Sequence, residues 1–417
     1  MHTSRIRATC VASAFFSTLC LPLGQARAQD AIAFSGYMRA AIGVSTDGGR
    51  QMCFGLASAD TKYRLGNECD ADIEPTFAFR WVHEPDGSAW GFLFMPAIYR
   101  TWSSSKNDGG DLPASFNQVY LFGEKLPALA RGRVWAGRRF YDRLQTNIND
   151  QFLENEDGDG AGIEDMDLGF GKLSVAWLMN PYLQPINNEN GVQWRTTARL
   201  TDVRTLPSGA LSLWLGYYGY SADEGAPNPS PAPDPQPRWR VGLYHTLGDV
   251  LGGSNLSGAK IEYSDTLRQW RVVSQQTAFV AGWRTAFDGI IEYRSKESRD
   301  YEALPWVRSD WFTVGARSDT QIAGPFRFLV ELGHDRVMPG DGETQTLTKL
   351  TLAGAMSAGT TASARPTFRL YYTYARWNEA AKGPGGVYDH PQAGALGKVA
   401  ANETSGASFG VQGEAWW

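Results

Sequence analysis

The sequence predicts an all-β fold, a transmembrane antiparallel β-barrel. Three observations carry this: strand-length segments with one oily and one polar face, no apolar run long enough for a membrane helix, and a start that reads as an export signal.

The alternation is clearest near the start. From Ile32 to Val44 the even positions include Ile32, Phe34, Met38, Ile42 and Val44, and the odd ones Ser35, Tyr37, Arg39 and Gly43. A strand turns successive side chains to opposite faces, so this segment has one greasy and one polar side. Asp70, Asp72, Glu74, Thr76 and Arg80 alternate with Ile73, Phe77, Phe79 and Trp81. Late in the chain, Phe326, Phe328, Val330 and Leu332 frame Arg327 and Glu331; Phe368, Leu370, Tyr372 and Tyr374 frame Arg369, Tyr371 and Thr373. At the end, Phe409, Val411, Ala415 and Trp417 alternate with Gln412, Glu414 and Trp416.

No stretch after Ala28 approaches the roughly 18 apolar residues of a membrane helix. Arg5 and Arg7, the apolar or small segment Cys10–Leu23, and Ala26-Arg27-Ala28 together read as a cleaved signal peptide over residues 1–28, with one domain over 29–417. Removing those 28 of 417 residues leaves 389 and takes away three arginines and no acid, moving the formal charge from −5 to −8. That balance disfavours nucleic acid and anionic membrane surfaces as partners. Two cysteines remain, Cys53 and Cys69. Export to an oxidising compartment favours a bridge over two free buried thiols, closing a loop of about 15 residues worth roughly 3 kcal/mol.

Alternating strands also build soluble sandwiches, whose oily faces meet in a core. A secreted glycan-binding lectin is therefore a competing expectation, and 15 Trp, 17 Tyr and 20 Phe suit either class. Closure favours the barrel. In lipid an open sheet edge leaves unpaired backbone groups at several kcal/mol each, so first and last strands should pair. Connections are unequal: Glu84-Pro85-Asp86-Gly87 is a tight turn, whereas proline-rich Ser221–Pro237 and polar Asn378–Thr404 are long.

The segment Arg138–Gly162 should set the pore. Arg138, Arg139 and Arg143 precede Asp150, Glu154, Glu156, Asp157 and Asp159, with Phe140, Tyr141 and Phe152 interleaved. Folded into the lumen, such a loop would offer rings to the apolar face of a sugar and charged groups to its hydroxyl rim. Asn155–Gly160 imitates the start of a calcium loop, but Met166 stands where its closing glutamate belongs. Calcium at acidic outer loops is the one metal expectation; no cofactor is required. The histidines His83, His245, His334 and His390 lack zinc spacing, and no catalytic motif is present, so no enzyme activity is expected.

With SGYMRAAIG, CFG and KYRLGNEC, WAGRRFYDR, GAGIEDMDLGFGKLS and terminal EAWW, the chain resembles the maltoporin-like carbohydrate porins of Gram-negative outer membranes. The resemblance implies eighteen strands, about 22 residues per strand and link, an inward third loop, and a homotrimer among outer-membrane lipid and lipopolysaccharide. It implies passive, facilitated diffusion of saccharides, maltodextrin-like or shorter, and a disulfide between Cys53 and Cys69 in the first outer loop. Tyr37, Trp416 and Trp102 match an aromatic slide; Arg39, Arg64, Glu74, Arg143 and Asp150 match a polar track. Asp72 stands where a slide tyrosine is expected, Asn117 for a track arginine, Phe152 for a central tyrosine, Gln145 for a constriction aspartate, and Ser363 for a slide tryptophan. Trp239 and Val241 compete for a further slide position. These departures keep a general diffusion porin of weak selectivity as an alternative.

Overall fold

The computed structural model describes residues 32–101, 114–179, 191–222, 237–299, 305–383, 386–387 and 403–417. The leader expected over 1–28 lies outside them. The strands begin with β1 (Ile32–Ser45), β2 (Asp70–His83), β3 (Ala89–Thr101), β4 (Ala114–Leu126) and β5 (Gly132–Arg139). Two short strands, β6 (Leu144–Thr146) and β7 (Gln151–Glu154), are followed by β8 (Gly158–Asp167), β9 (Lys172–Met179), β10 (Gly191–Leu206) and β11 (Gly209–Ala222). Then come β12 (Arg238–Val250), β13 (Gly253–Tyr263), β14 (Leu267–Val280), β15 (Thr285–Ser298) and β16 (Val307–Ala323). The last are β17 (Phe326–Pro339), β18 (Gln345–Ser357), β19 (Thr367–Trp377) and β20 (Ser405–Trp416).

Eighteen of these form one antiparallel sheet; β6 and β7 form a separate hairpin. Each barrel strand pairs with its neighbours in sequence, and β1 pairs with both β2 and β20. Tyr37 lies opposite Glu74 on one side and Trp416 on the other, which closes the sheet. No edge is left to be satisfied by water, the condition for crossing hydrocarbon with strands.

The two faces divide as the alternation predicts. Ile42 is 69% and Leu370 65% exposed on the outside, while their neighbours Ala41 and Tyr371 are 4% and 2% exposed within. A soluble protein could not carry so large an oily exterior; lipid is its natural solvent. The lectin expectation fails on this point. No helix among the described residues is long and apolar enough to cross a membrane.

Connections at one end are short. In the β2–β3 turn, the Gly87 amide donates to Glu84 O at 3.0 Å, and Gly87 takes φ 84°, which glycine adopts without strain. At the other end most links are longer, although only residues 264–266 join β13 to β14. Strand β11 runs to Ala222, so the proline-rich link begins later than Ser221; its residues 223–236 lie outside the described residues, as do 384–385 and 388–402.

Two links of the long end turn inward. Residues 46–69 are tied by the Cys53–Cys69 disulfide, whose Cα atoms are 6.0 Å apart. This first link of the long end folds back so that it lies inside the barrel. The Leu65 amide donates to Glu331 Oε1 at 3.0 Å, Lys349 Nζ donates to Leu65 O at 2.8 Å, and Tyr63 Oη meets Thr313 Oγ1 at 2.8 Å. Tyr63 lies flat on the facing glycines Gly315 and Gly333, where a Cβ at either would enter its ring. Residues 140–157, carrying the β6–β7 hairpin, fold in from the wall between β5 and β8. Ile148 and Leu153 are fully buried with Tyr63, Trp214, Tyr244, Val273 and Ile290. The expected inward segment is thus shorter than Arg138–Gly162, because its ends continue β5 and β8.

Candidate functional site

The two loops leave a neck beside the β20–β1–β2 seam. Because side chains two residues apart share a face, β1 supplies Tyr37 and Arg39, β2 supplies Asp72 and Glu74, and β20 supplies Glu414 and Trp416.

The basic groups at the neck are held in place. Arg39 Nε and Nη2 donate to Asp70 Oδ1 and Oδ2 at 2.8 and 2.7 Å, a bidentate pair of the stronger class. Arg64 Nε donates to Glu68 Oε1 at 2.7 Å, and its Nη2 donates to Tyr37 Oη at 3.2 Å. Asp150 reaches both guanidiniums, 3.8 Å from Arg39 and 3.6 Å from Arg64. Burial works against the Glu68 charge, yet Arg64, Arg39 and Lys62 hold that carboxyl well below the usual range. Burial pushes the Lys62 ammonium down; its Nζ donates to Asn67 O at 2.7 Å.

Across the neck, Arg143 Nε donates to Asp157 Oδ1 and Oδ2 at 2.8 and 3.0 Å. Its guanidinium lies 3.3 Å from the Phe140 ring centre and 4.9 Å from that of Phe152. Asn117 Nδ2 donates to Glu74 Oε1 at 2.6 Å. Asp72 has no hydrogen bond or ion pair among the described residues.

These groups enclose a cavity of about 970 Å³. Tyr37, Arg39, Arg64, Asp72 and Glu74 line it, and so do Asn117, Arg143, Asp150, Phe152 and Trp416. Trp102, the remaining expected slide residue, lies outside the described residues. Trp239 and Val241 both face outward, Trp239 packs on Tyr217, and the inward residue between them is Arg240. A second cavity of about 600 Å³ lies toward the short-turn end and shares Arg64, Asn147, Glu414 and Trp416 with the first.

Among the contributors that escaped the sequence reading, Tyr99 and Glu414 stand out by their contacts. Tyr99, opposite Asp72 in β3, also lines the larger cavity and donates to Asp70 Oδ2 at 3.2 Å. Strand β3 is apolar at both parities around it, so alternation could not assign its face. Glu414 was placed on the polar face but given no role. It accepts from Tyr37 Oη at 3.1 Å, Arg369 Nη2 at 2.8 Å and Arg365 Nη2 at 3.0 Å, and lies 3.6 Å from Arg64.

The acidic segment anchors its loop. Glu154 accepts from Tyr244 Oη at 2.8 Å and pairs with Arg240 at 3.2 Å; Glu156 pairs with Arg195 at 2.8 Å and accepts from Tyr218 Oη at 2.6 Å. Asp142 lies 3.1 Å from Arg199, and burial still pushes its carboxyl up to about 6. The calcium expectation gains no support: these acids already have basic partners, and no group of three or more potential ligands is set for a metal ion among the described residues.

A family model described as LamB porin matches residues 32–417. Among solved structures, Pseudomonas aeruginosa OccD3 is 8% identical, with TM-score 0.49 over 93% of this chain and 91% of that one. Pseudomonas aeruginosa OprD is 10% identical, with TM-score 0.47 over 93% and 95%. An anion-selective porin from Comamonas acidovorans is 11% identical, with TM-score 0.46 over 92% and 99%.

Proposed function

The chain belongs to the LamB porin family, and from that premise we propose that its lumen gives facilitated, passive passage to short saccharides. The protein is an outer-membrane porin, a closed barrel through which small hydrophilic solutes diffuse.

The observation that supports saccharides is the shared cavity of rings and clamped charges. Tyr37, Trp416, Phe140 and Phe152 offer apolar surface to a sugar ring, while Arg39, Arg64, Glu74 and Asp150 offer donors and acceptors to its hydroxyls. The arginines are already fixed by carboxylates, so little ordering is required when a solute arrives. Each contact is modest and shared with water, and the solute can leave as readily as it enters. Trimeric assembly among lipid and lipopolysaccharide belongs to the same proposal.

General diffusion is the second reading, favoured by Asp72: a half-buried carboxylate interrupts the row of rings beside Tyr37. Reconstitution in a planar bilayer separates the readings. Trimeric assembly gives conductance steps in threes under either reading; selective passage adds a saturable fall in ion current with maltotriose or sucrose. Current indifferent to every saccharide tried would leave only the general porin.

A further inference from the structure

The turn between β18 and β19, residues 358–366, does more than reverse the chain at the short-turn end. Arg327 Nη1 donates to Thr360 O at 2.7 Å and draws the turn toward the barrel interior. Ala362, Ser363 and Arg365 line the second cavity. The Arg365 guanidinium lies over the Trp416 ring, its carbon 3.7 Å from the ring centre.

Trp416 lines both cavities, whereas Arg365 lines only the smaller one. The cation therefore covers the ring from the short-turn side and leaves the side facing the larger cavity free. We propose that Arg365 is a positioning residue for solute passage, fixing the Trp416 ring so that one face serves as a stacking platform. This rests on the saccharide reading.

Hydrogen-bond accounting favours positioning over direct binding. A guanidinium has five N–H donors. Arg365 Nε and Nη2 donate to Glu414 Oε2 at 3.2 and 3.0 Å, and Nη1 donates to Ala362 O at 3.1 Å and Ala364 O at 2.9 Å. Four donors are spent on the protein. The group has little left to grip a solute, but its plane is locked. Its attraction to the indole face is electrostatic and orientation-dependent, so a locked plane fixes the ring it lies against. Glu414 also accepts from Tyr37 Oη at 3.1 Å, so one carboxylate sets both Arg365 and the tyrosine opposite Trp416 in register.

The test uses the full-length porin in planar bilayers, with maltotriose and sucrose as blocking solutes. Arg365→Met should weaken block roughly three- to ten-fold. Arg365→Lys keeps a cation near Glu414 and serves if the methionine variant fails to assemble; lacking the planar fork, it should weaken block similarly. In a Trp416→Ala background neither change should weaken block further, because Arg365 acts through the ring. Without sugar, the freed ring should add open-channel current noise to both single variants and none to the doubles. Wild-type block and noise in Arg365→Lys, or an undiminished effect of Arg365→Met without Trp416, would overturn the inference. A wild-type pore that no saccharide blocks would instead overturn the saccharide reading, with the noise measurement still deciding the role of Arg365.

Discussion

Tyr37 on the first strand donates its hydroxyl to Glu414 Oε1 on the last strand at 3.1 Å, so the barrel seam runs through the neck of the pore. The contact that helps close the sheet also orients a ring of the solute path.

Neutralising that hub should be felt in permeation before stability. Glu414→Gln leaves Arg64, Arg365 and Arg369 around an uncharged amide. Single-channel recordings should shift toward anion preference, and block by maltotriose should weaken several-fold. Unchanged reversal potential and unchanged block would contradict this role for the carboxylate.

The disulfide should secure the first inward loop more than the barrel. Cys53 and Cys69 are 16 positions apart, a closure worth about 3 kcal/mol in the chain-entropy model. The Cys53→Ala, Cys69→Ala variant should assemble, lose protease protection within 46–69, and conduct more as the loop leaves the lumen. Loss of the whole barrel would show that the loop is required for closure.

The second inward loop is pinned by buried charge. Removing Glu154 takes a carboxylate away from Arg240, Lys260 and Tyr244 and leaves Glu156 alone on Arg240; breaking a buried pair costs up to about 3–5 kcal/mol. Glu154→Ala should raise ion conductance and abolish graded sugar block. An unaltered conductance would mean that other contacts suffice to hold the hairpin.

Glu68 and Asp142 should give opposite pH dependences. The folded state holds Glu68 below the unfolded value near 4.3, so its contribution is present above that value and lost as pH falls through the folded one. Asp142 is raised to about 6, so its contribution is present below about 3.9 and lost as pH rises from there through 6. Thermal melts should therefore show Glu68→Gln flattening the acid limb below about pH 4.3, and Asp142→Asn flattening the decline between about 4 and 6. Identical profiles for both variants would contradict the assignment.

Much of the barrel was legible because a strand with one face in lipid and one in water writes its orientation into every second residue. β1, β2, β17, β19 and β20 follow this rule closely, and it put Tyr37, Arg39 and Trp416 on the lumenal face. β3 did not, since Trp90, Phe92, Phe94 and Leu93, Met95 make it apolar on both sides. The inward course of 46–69 was also hidden: its anchors Glu331 and Lys349 lie more than 260 positions away, a separation no local pattern records. Family likeness pointed to residues that the structure brings together around one cavity, but only the register paired Tyr99 with Asp72.

Labelling from within the bilayer probes the two faces most directly. Single cysteines at Phe77, Phe328 and Phe368 should react with a lipid-dissolved reagent, and cysteines at Tyr37 and Arg39 only with a water-soluble one entering the lumen. Lipid-phase labelling of positions 37 and 39, with 77, 328 and 368 spared, would contradict an oily exterior around an aqueous pore.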